Sequence, residues 1–156
     1  MKYLSAALPA ILAVFCFIGT PLPAAAADAV ASTDGETAGT RLVVQEFKRV
    51  SGGAVMLRFI VTNDTDKDVD LYHLMIASEG ATVDGIYLVD LAGKKKYEVV
   101  RDAEKHCLCS RGIPSQLAAK SSANLWAKFP APPDNVEKIG IVAPHFIPMD
   151  DVPLAR

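Results

Sequence analysis

Positive charge is the first thing the chain is short of. Its 16 lysines and arginines stand against 18 aspartates and glutamates, so there is no field to draw in nucleic acid or anionic lipid. Histidine is scarce too. His73, His106 and His145 fall in three separate predicted elements, and no spacing with serine and aspartate supports a triad. No nucleophile elbow, phosphate-binding glycine loop or paired C-x-x-C zinc motif occurs. The chain therefore reads as non-enzymatic, with no cofactor expected. No sustained 3.6-residue apolar period runs beyond the first 27 residues. Cysteine is limited to Cys16, Cys107 and Cys109.

The N-terminus supplies the compartment. Lys2 precedes an almost unbroken apolar run, Leu4 to Ile18, followed by Gly19, Pro21 and Pro23 and then Ala24-Ala25-Ala26-Ala27. A short apolar core ending in small residues is the pattern of a cleaved secretory signal, and it falls short of the roughly 20 residues that span a bilayer. Phe15 stands before Cys16, where a lipobox needs a small side chain, so lipid attachment is not expected. Residues 1–27 are read as a signal peptide, placing the mature chain in the periplasm or outside the cell, with no membrane span after cleavage. Removing these 27 of the 156 residues leaves 129, enough for one domain with its own core. Lys2 leaves with them, so 15 basic residues face 18 acidic ones, a net charge of −3.

Residues 28–40, DAVASTDGETAGT, are small and polar and read as a flexible linker. From residue 41 onward the pattern is that of strands. Leu42-Val43-Val44 and Phe47 to Val50 lead to a Ser51-Gly52-Gly53 turn. Val55, Leu57, Phe59 and Val61 then alternate with Met56, Arg58, Ile60 and Thr62, as in a half-buried strand. The polar run Asn63 to Asp68 is a turn, and Val69 to Ile76 resumes as a strand. Gly85 to Arg101 predicts a hairpin turning at Ala92-Gly93-Lys94. Residues 103–114 read as irregular loop. Asn124 to Phe129 forms a strand whose Trp126, the single tryptophan, is expected in the core. Val136 to Val142 is the last clear strand, since Pro144, Pro148 and Pro153 keep the tail from a central position. The expectation for residues 41–156 is an all-β, Ig-like antiparallel sandwich of about seven strands, with a small barrel as the alternative.

Two polar features carry little chemistry. Asp64, Asp66, Asp68 and Asp70 alternate, but a calcium loop counted from Asp64 needs glycine and glutamate where Val69 and Met75 stand. Asn63-Asp64-Thr65 fits a glycosylation sequon, relevant only in a eukaryotic secretory pathway. Lys94-Lys95-Lys96 is a solvated hairpin tip.

The remaining unusual segment is His106-Cys107-Leu108-Cys109. Once Cys16 is cleaved away, an even pair in an oxidising compartment favours a Cys107–Cys109 disulfide. Two other readings stay open: two thiolates and an imidazole holding copper(I) or zinc, and free thiols or a bridge to another chain. On the disulfide reading the pair clasps a recognition loop in which Arg101, Asp102, His106 and Arg111 are the candidate contact residues.

The runs Tyr87-Leu88-Val89-Asp90, Gly93 to Tyr97, Arg101-Asp102, Cys107 to Ser110, Trp126 to Pro133 and Pro148 to Pro153 together resemble a secreted bacterial domain. In several proteins such a domain precedes a peptidoglycan-binding module of the outer-membrane-protein-A type. The likeness spans Gly85 to Leu154, and the opening strand, glycine turn and Val61-Thr62-Asn63 strand end resemble bacterial Ig-like modules. The resemblance implies an accessory domain of the bacterial envelope whose partner is another envelope protein. No wall-binding module is expected here, since the sequence stops at Arg156, and no catalytic residue carries over. The alternative function is metal or thiol handling by His106, Cys107 and Cys109.

Overall fold

The computed structural model of the protein describes residues 29–75 and 81–156. The expected signal peptide lies outside the described residues. Ten strands and one short helix follow in order: β1 (Ala31–Asp34), β2 (Thr40–Val50), β3 (Ala54–Asn63), β4 (Val69–Asp70), α1 (Leu71–Met75), β5 (Tyr87–Asp90), β6 (Lys95–Glu98), β7 (Gln116–Leu117), β8 (Ser121–Pro130), β9 (Lys138–Val142) and β10 (Met149–Pro153). Two four-stranded sheets form, ordered β1-β2-β3-β8 and β10-β9-β5-β6, with β4 and β7 as a separate pair. Every strand pairing is antiparallel. The all-β sandwich expected from the sequence is present, built from ten strands where about seven were anticipated. No helix among the described residues is long and apolar enough to cross a membrane.

Alternation explains the core. Val55, Leu57, Phe59 and Val61 of β3 point inward with at most traces of exposure, and their neighbours Met56, Arg58, Ile60 and Thr62 lie on the other face. Leu125, Ala127 and Phe129 of β8 do the same beside them, and Leu88, Ile139 and Ile141 close the core from the second sheet. Strand β2 needs a correction to strict alternation. Leu42 and Val44 are inward, but the next inward residue is Phe47, because the register against β3 shifts between Val44 and Glu46. The extra residue is a bulge that joins two predicted short strands into one. Gly52 and Gly53 adopt φ of 83° and 67° in the tight β2–β3 turn, a region that glycine enters without steric cost.

Two expectations fail, each for a physical reason. Residues 28–40 were read as a flexible linker, yet Ala31–Asp34 pairs with Arg41–Val44 as an edge strand. Its support is the backbone ladder, an Arg41–Asp34 ion pair at 3.0 Å and the Thr33 hydroxyl donating to the Ile147 carbonyl, none of which needs apolar side chains. Val69 to Ile76 was read as one strand; Ile76 lies outside the described residues, and of the described ones only Val69 and Asp70 pair. The Asp70 carboxylate then accepts the His73 amide proton at 3.0 Å, an N-cap that starts α1. Leu71, Leu74 and Met75 are buried at i, i+3 and i+4, the spacing of one helical face.

The predicted hairpin is β5–β6. Asp90 is buried at its turn and accepts the Gly93 amide proton at 2.8 Å. On β6 the Tyr97 hydroxyl is buried with no hydrogen-bond partner among the described residues. Burial first, and the Asp90 carboxylate second, push its ionisation above the ordinary phenol range. The unfolded chain releases that proton at the usual pH, so stability falls as pH rises past about 10. In Tyr97→Phe that alkaline loss is removed, and stability at neutral pH changes by no more than about 1 kcal/mol, in the favourable direction. Urea melts of both proteins at pH 8 and pH 11 check this.

Candidate functional site

Residues 103–114, read from the sequence as irregular loop, are held by isolated bridges and backbone hydrogen bonds. Arg101 and Cys107 form an antiparallel bridge, and the turn between them is closed by the Asp102 amide donating to the His106 carbonyl and the Lys105 amide donating to the Asp102 carbonyl. The Asp102 carboxylate also accepts the His106 amide proton at 2.8 Å. The chain then runs along the outer edge of β8. Lys128 donates to Leu108 at 2.9 Å, Ser110 donates to Trp126 at 2.8 Å, and the Trp126 amide donates to the Ser110 hydroxyl. Val100 donates to Lys128, so the segment stitches the end of β6 to the first sheet.

Cys107 and Cys109 are joined as a disulfide with Cα atoms 5.3 Å apart, inside the usual range. Both side chains are 3% exposed and belong to the core, while Leu108 between them faces outward. The pair therefore fixes a strip of backbone against β8. The ring it closes is so short that Cys107→Ala/Cys109→Ala is expected to lower stability by about 1.5 kcal/mol. Thiol titration of the native protein should find no reactive group; one free thiol per cysteine without reductant contradicts the bridge.

The four candidate contact residues divide. Arg101 is a brace: its guanidinium meets Asp84 at 2.6 Å, and that carboxylate is only 2% exposed. A second guanidinium nitrogen donates to the Lys105 carbonyl at 3.0 Å. Asp102 caps the turn, and His106 sits exposed with its Nδ1 3.5 Å from Asp102. These three stay at the turn closed by the Arg101–Cys107 bridge. Arg111 alone of the four reaches a cleft of about 510 Å³ walled by residues 107–114 on one side and 123–126 of β8 on the other. Among the described residues no group of three or more histidine, cysteine or acidic side chains is arranged to hold a metal.

Trp126 is not a core residue. It alternates with buried Leu125 and Ala127 and lies half-buried on the outer face, where it lines the cleft. Nearby, Glu46 is held below the usual carboxylate range, chiefly by its hydrogen bond from Lys48, with Arg58 adding to the effect and burial opposing it. Arg58 is thus engaged at 3.0 Å by Glu46. Arg111 is the one charged side chain lining the cleft and has no ion pair among the described residues.

Sequence reasoning missed a contact between histidines. His73 of α1 and His145 of the β9–β10 connection stack with ring centroids 4.0 Å apart, and His145 Nδ1 meets Glu36 at 2.8 Å. Separations of this length along the chain leave no local signal. Asn63, read as part of a solvated turn, is fully buried with its amide committed to hydrogen bonds.

No family model matches the chain, and no curated protein matches it. Among solved structures, the chain is similar to a functionally unknown protein from Listeria monocytogenes EGD-e, at 15% sequence identity and a TM-score of 0.44. The match covers 74% of this chain and 69% of that one.

Proposed function

We propose that the protein is an exported, non-enzymatic interaction module of the bacterial envelope, an Ig-like sandwich whose working surface is the cleft between residues 107–114 and β8. Export rests on the signal-like Met1 to Ala27, and the envelope setting on the resemblance of Gly85 to Leu154. The observation that carries the reading is a braced cleft walled by a half-buried tryptophan. Trp126 and Leu108 present apolar surface to solvent, and a disulfide and a two-sided hydrogen-bond strip hold the cleft wall in place. A preformed wall loses little freedom on binding, and half-exposed tryptophan is enriched where interfaces concentrate their energy.

A photo-crosslinking amino acid at Leu108 tests this in intact cells, with the same substitution at Leu91, a 72% exposed residue on the β5–β6 turn, as the control. A discrete adduct to an envelope protein is expected from position 108 alone. Equal labelling from both positions, or none from 108, overturns the assignment. The N-terminal residue of the periplasmic protein, expected at Ala27 or Asp28, tests export separately.

A further inference from the structure

The cleft has a property that narrows the kind of partner it takes. In an antiparallel sheet the backbone groups of successive residues point alternately to the two neighbouring strands. On β8, Trp126 and Lys128 direct theirs away from β3, toward Ser110, Leu108 and Val100. By the same alternation Asn124 and Ser122 point outward too, yet neither has a backbone partner on that side among the described residues. The covering strip leaves the β8 edge after Ser110. Arg111 bridges to Thr82 instead, and Ile113 donates to the Ala81 carbonyl. The cleft begins where the strip departs, and Asn124 lies in its wall.

We propose, resting on the interaction reading above, that this cleft binds an extended peptide segment of a partner as an added strand on the outer edge of β8, with an acidic side chain of that segment meeting Arg111. The outward donors and acceptors of Asn124 and Ser122, which have no backbone partner among the described residues, repeat at the two-residue spacing of a strand, so an extended backbone satisfies them in register. The visiting strand continues the line of residues 108–110 past the point where the chain turns off. Ile113, Pro114 and Trp126 give apolar walls for alternate side chains. Arg111, exposed and without an ion pair among the described residues, supplies the single charge of the lining, and its complement is a carboxylate. The strand begins at Ser121 and its Trp126–Lys128 stretch is already covered, which limits the addition to a few residues.

The probe is a set of acetylated, amidated hexapeptides of valine and threonine with one glutamate at each of the six positions in turn. Emission from Trp126, the chain's only tryptophan, is the readout. At least one register is expected to give a saturable change below about 1 mM. N-methylation of alternate residues along the bonding edge should abolish it, while N-methylation of the opposite edge should not. Arg111→Glu should weaken binding by about ten-fold, and exchanging the peptide's glutamate for lysine should restore it. Asn124→Pro, which removes an outward amide with no backbone partner among the described residues, should fold normally by thermal melt and lose the response, while Asn124→Ala, which removes the side chain and keeps the amide, should retain it. Equal binding of both N-methylated forms, indifference to the glutamate-to-lysine exchange, or no response from any register overturns strand addition. A concentration-dependent dimer abolished by Asn124→Pro also overturns it, assigning the edge to a second copy. If the Leu108 adduct forms in cells while every peptide fails, strand addition falls and the interaction reading stands; if the adduct is absent as well, both fall.

Discussion

Replacing Asn63 with alanine is expected to lower the unfolding free energy by about 3 kcal/mol. The side chain is fully buried at the end of β3. Its amide nitrogen faces the Lys67 carbonyl at 2.8 Å and the Leu117 and Ala118 carbonyls at 3.0 Å each. Its carbonyl oxygen accepts from the Thr65 amide at 3.0 Å and the Thr65 hydroxyl at 2.7 Å. One side chain therefore shapes the polar turn after β3 and ties it to the approach to β8. Alanine leaves buried carbonyl and amide groups without this partner and opens a small void, and the two costs add. Asn63→Asp is a sharper test. The introduced carboxylate confronts carbonyl oxygens, so the folded state favours its neutral form, and this variant gains stability as pH falls. Urea unfolding with an unchanged slope, at pH 8 and pH 4, measures both effects. An alanine cost under about 1 kcal/mol would show that water replaces the amide.

The same residue marks the boundary of what the sequence reveals. Alternation along Val55 to Thr62 predicted β3 and its buried face, because period-2 burial is written directly in residue types. The β5–β6 hairpin was legible for a similar reason, its glycine turn sitting between two short apolar runs. Asn63 was not. It stands at the head of the Asp-rich run to Asp68, and the run's composition describes solvent while one member turns inward to three carbonyls. β1 escaped because a strand held by backbone pairing needs no apolar alternation. The start of α1 was within reach: Asp70 followed by Leu71, Leu74 and Met75 is a cap and a helical face, but the β-branched Val69 before it and Ile76 after it masked the change of period. At the cleft, the cysteine pair pointed to the right strip of chain. Proximity in sequence then misassigned its neighbours, since Arg101 is committed to Asp84, 17 residues away. Trp126 entered the cleft only through the register of β8 against β3.

Arg101 decides whether the turn it closes with Cys107 is recognition surface or support. Arg101→Met is expected to cost about 2 kcal/mol, below the 3–5 kcal/mol typical of breaking a buried pair because the guanidinium is itself 45% exposed. Methionine keeps much of the packing of the arginine stem, so the loss reports the charge. The burden falls on Asp84: its carboxylate, 2% exposed, loses the 2.6 Å guanidinium contact while Thr82 keeps a 3.0 Å hydrogen bond to it. Adding Asp84→Asn to Arg101→Met should therefore recover part of the loss, giving a favourable coupling in a double-mutant cycle. The Lys105 carbonyl also loses its donor, so amide exchange should quicken at Lys105 and His106 beyond what global destabilisation explains. Trp126 emission should stay unchanged, because Arg101 does not line the cleft. If Arg101→Met instead leaves stability and exchange intact while erasing the adduct from position 108, the guanidinium is a contact residue. The working surface would then extend from the cleft to the Arg101–Cys107 turn.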